Sequence, residues 1–302
     1  MTAHPLNALL ARLRAALPDR AATLTIAHSA PPPVDPVLDA YLREHVGFWR
    51  QEIGTALEVG PMREHQEDGL FVSAPGRAFV VIDGMGGHAS GHLATQLVKK
   101  ALLDAFPHAY DGEPLDRAEV CPLAAALLEA HHVVKDFQER QPQYRGQGAA
   151  AAGIFVADTF INVAHVGDCR VYRLRDGALQ LLTRDHSLVN EFADLVERGE
   201  ADEHHFSAEE QKRYERIITR ALGVRMEKVQ PDWSRHPIEP GDQLLLCTDG
   251  LWRAVPDETL RELLCGDASP QEQAQALAQA AIDARTTDNL GIIVVRFPEV
   301  VP

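Results

Sequence analysis

Ala78-Phe79-Val80-Val81-Ile82-Asp83-Gly84-Met85-Gly86-Gly87-His88 runs from five apolar residues into a carboxylate and then a glycine-rich turn. An unbroken apolar run closed by turn residues reads as a strand at the centre of a sheet. Such a strand delivers Asp83 to one edge of that sheet. Glycines at 84, 86 and 87 leave the backbone without Cβ atoms, so a carbonyl can face a metal ion or a phosphate can approach closely. A helical pattern opens near Ser90. The turn lacks the Lys of GxxxxGK[ST] and the third spaced glycine of GxGxxG, so a nucleotide cradle is the weaker alternative.

Further apolar runs of strand length occupy 153–156, 160–166, 243–247 and 291–297. Residues 171–182 read as a hairpin turning at Asp176-Gly177. Helical patterns cover about 90–106, 122–140 and 270–284. Ser269-Pro270-Gln271-Glu272 fits a capping box with proline at the first helical position. Ser207-Ala208-Glu209-Glu210 fits a second, opening a short helix in the polar stretch 187–216. Strands come in runs with helices in blocks between them. That predicts an α+β protein of antiparallel sheets with helices packed on them. Residues 1–50 read as an N-terminal helical extension, two amphipathic helices around a proline-rich linker at 29–36. They carry no chemical constellation, and the expectation is that they pack on the domain formed by residues 51–302.

Composition narrows the function. Of 302 residues, 29 are Lys or Arg and 44 are Asp or Glu, for a net charge of −15. A chain this acidic repels phosphate backbones and anionic lipid, which argues against nucleic-acid or membrane partners. With 45% apolar residues there is enough to build a core, so disorder throughout is excluded. No apolar stretch has transmembrane length, and the amino terminus lacks the order of a signal peptide. The four cysteines, Cys121, Cys169, Cys247 and Cys265, form no CxxC pair and read as buried free thiols. Together these features predict a cytoplasmic protein.

The acidic residues are distributed with a pattern. Asp83 and Asp249 close apolar runs, Asp168 follows another, and Asp288 opens one. Asp68 ends the polar cluster Arg63-Glu64-His65-Gln66-Glu67-Asp68. Five Asp-Gly dipeptides occur, at 68, 83, 111, 176 and 249, and any one of them alone reads as a turn. Asp83 and Asp249 differ from Asp176 because each follows a run apolar enough for a central strand. If such strand ends meet, the carboxylates raise one another's pKa unless a cation neutralises them. Mg²⁺ or Mn²⁺ prefers such an all-oxygen shell.

These residues resemble a family, the metal-dependent serine/threonine protein phosphatases of type 2C in their bacterial form. Five blocks occur in the family's order: Arg63 to Asp68, Asp83 to His88, Val166-Gly167-Asp168-Cys169-Arg170, Cys247-Thr248-Asp249-Gly250-Leu251, and Asp288-Asn289. Softer matches are Leu182-Thr183-Arg184-Asp185-His186-Ser187 and Thr219-Arg220-Ala221-Leu222-Gly223. The resemblance implies a four-layer α-β-β-α sandwich, two stacked antiparallel sheets flanked by helices. It implies two Mn²⁺ or Mg²⁺ ions bridged by Asp83, with the Gly84 carbonyl on one and Asp249 and Asp288 on the other. Glu67 and Asp68 would hold waters around the ions, and Asp168 with Asp249 would form a third ion position. Arg63 would grip the substrate phosphate through its forked guanidinium. Taken alone, Arg63 reads as a surface ion pair with a neighbouring Glu. His88 would either protonate the leaving oxygen or only cap the following helix. The pairs His131-His132 and His204-His205 read as solvated residues, not ligands.

The implied reaction is hydrolysis of phosphoserine and phosphothreonine in proteins by a metal-activated water, opposing a serine/threonine kinase. Three departures stand against the family pattern. Gln66 replaces the usual Asn, Cys169 the usual Ser, and Gly148-Ala149-Ala150 a Gly-Thr-Thr segment. None removes an implied ligand. The alternative they support is a catalytically weak regulatory domain that binds a partner, and a hydrolase of small phosphoesters is a third reading. The stretch 187–216 falls where bacterial members carry a flap beside the site.

Overall fold

The unbroken apolar runs are strands covered on both faces. The computed structural model describes residues 51–73, 76–86, 90–106, 121–157, 160–202, 206–224 and 229–298. The expected extension at 1–50, His88 and the pair His204-His205 lie outside those residues. In chain order the elements are β1 (Glu52–Glu58), β2 (Asp68–Val72), β3 (Ala78–Met85), α1 (Ser90–Ala105) and α2 (Pro122–Arg140). Next come β4 (Gly148–Val156), β5 (Phe160–Val166), β6 (Arg170–Arg175), β7 (Ala178–Leu181), α3 (Leu188–Glu197) and α4 (Ala208–Glu215). The chain continues with β8 (Asp232–Pro237), β9 (Gln243–Cys247), α5 (Asp249–Trp252), α6 (Asp257–Leu264), α7 (Pro270–Asp283) and β10 (Leu290–Arg296).

The strands form two five-stranded sheets, ordered β1-β10-β9-β6-β7 and β2-β3-β4-β5-β8. Every pairing is antiparallel. Side chains alternate between faces along a strand, and here both faces are apolar. Phe79, Val81, Ile154 and Val163 of one sheet meet Val171, Leu246, Ile293 and Val295 of the other. Val80 and Ile82 point the opposite way, into a cluster with Val98 and Leu102 of α1 and Leu123 and Leu127 of α2. Leu245, Ile292 and Val294 pack under Leu260 of α6 and Leu277 of α7. The result is the four-layer α-β-β-α sandwich, and it explains why the central strands lack polar alternation.

Local signals set the boundaries. Asp176 and Gly177 adopt positive φ, 51° and 73°, the pair of left-handed residues that a two-residue hairpin turn demands. Both capping boxes form, Ser207 with Glu210 and Ser269 with Glu272. The alanines at 149–152 belong to β4, which begins earlier than its apolar run suggests. Cys121, Cys169 and Cys247 are buried free thiols, but Cys265 is exposed at the end of α6. His131 is also not solvated as expected: it is buried, and its Nδ1 accepts from the Gly223 N–H at 3.0 Å.

Candidate metal centre

Five carboxylates gather where the two sheets end together. The β2–β3 register sets Asp68 opposite Asp83. Asp168 follows β5, Asp249 starts α5 directly after β9 and Thr248, and Asp288 precedes β10. Asp68 and Asp168 are buried at 6% and 0% exposure. Asp83, Asp249 and Asp288 keep part of their surface open, so a cation can reach the group from solvent. At Gly84 the chain passes so close to α1 that a Cβ would lie 2.2 Å from the Gly91 carbonyl oxygen. A Cβ on Gly91 would in turn sit 2.6 Å from the Gly84 carbonyl oxygen. Both positions therefore exclude a side chain.

The charges are poorly compensated. Burial pushes the Asp83 carboxyl well above the usual carboxylate range, and Asp68, Asp249, Asp168 and Asp288 push it further. Burial likewise raises Asp68, opposed by a hydrogen bond from Thr248. Burial and then Asp168 push Asp249 up to about 7, with Arg253 opposing. Burial also pushes the Cys169 thiol well up, which removes it as a thiolate nucleophile.

Neutral partners orient several of these groups. Thr248 Oγ1 donates to Asp68 Oδ2 at 2.7 Å and accepts from the Gly291 N–H at 2.9 Å. Asn289 Oδ1 accepts from the Glu67 N–H at 2.9 Å, and its Nδ2 donates to the carbonyls of Val59 and His65 at 2.5 and 3.0 Å. Thr95 Oγ1 of α1 donates to the Glu67 carbonyl at 2.5 Å. Asn289 thus ties the 59–67 loop to the start of β10, which holds Glu67 and Asp68 beside Asp83. Gln66 Oε1 accepts from the Asp68 N–H at 2.9 Å. The extra methylene relative to Asn is accommodated there as a local cap.

Two cations border the group. Arg63 Nη2 donates to Asp288 Oδ2 at 2.7 Å, and its Nη1 lies 3.6 Å from Glu67 Oε2, with 41% of the side chain exposed. Arg253 Nη2 donates to Asp168 Oδ2 at 2.6 Å, and its Nε lies 3.0 Å from Asp249 Oδ2. The structure therefore brings together Arg63, Glu67, Asp68, Asp83, Gly84, Asp168, Asp249 and Asp288. Arg253, Thr248 and Asn289 were not singled out for these contacts. Only the four-residue step from Asp249 to Arg253, one helical turn, was available as a signal for one of them.

The donor set tests whether a metal fits. No hydrogen bond or ion pair to Asp83 occurs among the described residues, although four carboxylates raise its pKa. All-oxygen donors with uncompensated negative charge suit hard divalent cations. The Asp83 side of the cluster fits Mg²⁺ or Mn²⁺ on these grounds.

A stacked-sheet fold carrying convergent carboxylates at one end is the architecture of a metal-dependent phosphohydrolase. The protein phosphatase 2C family profile matches residues 64–283. Serine/threonine phosphatase stp of Listeria monocytogenes is 32% identical over 241 residues, covering 78% of this chain and 92% of that protein. Protein phosphatase PhpP of Streptococcus pneumoniae is 30% identical over 251 residues, covering 82% and 98%. A solved structure of the catalytic domain of the phosphatase PstP in complex with two manganese ions superposes with a TM-score of 0.68. It is 30% identical and covers 82% of this chain and 99% of that one. This chain belongs to the protein phosphatase 2C family.

Proposed function

We propose that this chain hydrolyses phosphoserine and phosphothreonine in proteins, with Asp83, Gly84, Asp249 and Asp288 holding two Mn²⁺ or Mg²⁺ ions. The observation that carries this reading is Asp83, set among four like charges with no ion pair among the described residues. Bound there, the ions would supply Lewis acidity toward phosphoryl oxygens and lower the pKa of water. Glu67 and Asp68 would accept hydrogen bonds from waters around the ions, and the Thr248 hydroxyl holds the Asp68 carboxylate in place for that task. Arg63 edges the cluster with part of its guanidinium exposed, where a planar fork matches a phosphate dianion. On substrate binding Arg63 exchanges Asp288 for phosphate. His88 protonates the leaving oxygen.

Residues 51–302 form the catalytic domain in this reading, and 1–50 are an extension ahead of it. No helix among the described residues is long and apolar enough to cross a membrane. The inferred setting is the cytoplasm, with a serine/threonine kinase supplying the phosphorylated proteins. The test is phosphate release from a phosphothreonine peptide with Mn²⁺ and with chelator, alongside Asp249→Asn. Release that requires the metal and is lost in the variant supports the reading. A folded protein that releases nothing with Mn²⁺ or with Mg²⁺ in its place overturns it.

A further inference from the structure

Asp168 and Asp249 lie on either side of one guanidinium. Arg253 Nη2 donates to Asp168 Oδ2 at 2.6 Å, and its Nε stands 3.0 Å from Asp249 Oδ2. Arg253 is held there by more than charge. Its backbone N–H donates to the Asp249 carbonyl at 3.0 Å, which closes the turn of α5. Its guanidinium carbon lies 4.9 Å from the centroid of the Trp252 ring. Trp252 Nε1 donates to the Asp168 carbonyl at 3.0 Å, which ties that ring to the same carboxylate's backbone. The Arg253 side chain is 23% exposed and that of Asp168 is 0% exposed.

We propose that Arg253 fills in cis the cation position between Asp168 and Asp249, so that this chain loads two divalent ions, not three. The proposal rests on the two-ion reading above. A divalent ion held by the same two carboxylates would lie against the guanidinium and be repelled by it. The guanidinium already hydrogen-bonds Asp168 Oδ2 and stands in ion-pair contact with Asp249 Oδ2. The other oxygen of Asp168, Oδ1, is buried without a hydrogen-bond partner. That oxygen and Asp249 Oδ1 are the two left by this carboxylate pair, well short of the roughly six oxygens a hard ion requires. Arginine also differs from an ion in two respects. It stays charged at any metal concentration, and it acidifies no water. Charge at this corner of the site is therefore permanent, and metal dependence saturates in one phase when the pair around Asp83 is full.

The test counts bound Mn²⁺ by electron paramagnetic resonance of the free aquo ion during titration of the full chain. Two ions are expected for the native chain, three for Arg253→Asp, and two for Asp168→Asn. Three ions in the native chain, falling to two in Asp168→Asn, overturn the proposal, because Asp168 is then a ligand. An Arg253→Asp chain that folds by near-ultraviolet circular dichroism yet stays at two also overturns it. If that variant does not fold, the Asp168→Asn count decides without touching Arg253. Failure of the two-ion reading looks different: the native chain binds none, or Asp83→Asn leaves its count unchanged.

Discussion

Two clusters of ionisable groups border the β2-β3-β4-β5-β8 sheet, and they are solved in opposite ways. Around Asp83, carboxylates face one another: Asp168 and Asp249 share Arg253 and Asp288 pairs with Arg63, while Asp83 and Asp68 have no ion pair among the described residues. Around His165, the groups satisfy each other. His165 and His186 stack with ring centroids 4.6 Å apart. His186 Nδ1 accepts from the Gly167 N–H, so its Nε2 carries the proton toward Asp232 Oδ2 at 3.2 Å. Arg220 donates to the other Asp232 oxygen at 2.9 Å, and His165 Nε2 donates to the Arg184 carbonyl at 2.8 Å. Ligand atoms of His165, His186 and Asp232 lie within 4.8 Å of one another. Proximity of such atoms is therefore a poor criterion for a metal site. A site reserved for an external cation is one whose charges the chain leaves unbalanced.

Mutations separate the two. Asp83→Asn is expected to lower phosphatase activity on the order of 10³-fold, as for loss of a principal transition-state stabiliser. The same change should leave metal-free melting unchanged or raised, because it removes a buried charge that repels its neighbours. A clear drop in metal-free melting would place Asp83 in the balanced class and break the contrast. Thr248→Val comes next. Loss of the hydrogen bond to Asp68 should weaken Mn²⁺ binding by about 10–100-fold, the range for groups that orient ligands or their waters. An isothermal titration showing native affinity would mean that Asp68 needs no orientation. Asp232→Ala should do the converse. It should cost about 1 kcal/mol in urea unfolding, since Asp232 is half-exposed. Mn²⁺ affinity should not change.

The legible parts of the sequence follow from the same physics. The strands β3, β4, β5, β9 and β10 are buried on both faces, so they stand out as apolar runs. The strands β1, β2 and β8 gave no such signal, and each lies at a sheet edge. In β8, Asp-Trp-Ser-Arg-His-Pro, one neighbour and partial exposure remove the need for apolar residues. Four of the five carboxylates, Asp83, Asp168, Asp249 and Asp288, were legible because they terminate or open central strands, and Asp68 only through the polar cluster that it ends. Their supports were not. Thr248 reaches Asp68 across 180 residues of chain and Asn289 reaches Glu67 across 222. No local pattern encodes a contact made only by tertiary folding.

The finest contrast between the clusters is the sign of their pH dependence. Asp249 has a folded-state pKa of about 7, above its ordinary value, so between about 4 and 7 the folded chain binds more protons than the unfolded one. Metal-free stability contributed by this group falls as pH rises through that window, and Asp68 and Asp83 push in the same direction. His165 is held down to about 4, first by burial and then by His186. Here the unfolded chain binds more protons between about 4 and 6.5, so stability rises with pH. His131, lowered to about 4 mainly by burial, adds to that slope. In metal-free protein the opposing slopes partly cancel, and melting should vary little between pH 4.5 and 6.5, roughly the window both groups share. Asp249→Asn removes part of the falling term and should tilt the profile upward with pH, whereas His165→Gln should tilt it downward. Saturating Mn²⁺ should mimic Asp249→Asn, because a bound cation holds the carboxylates ionised in the folded state. Melting curves across that range for the three chains decide it: tilts of the same sign in both variants would mean that the two clusters carry the same kind of unbalanced charge.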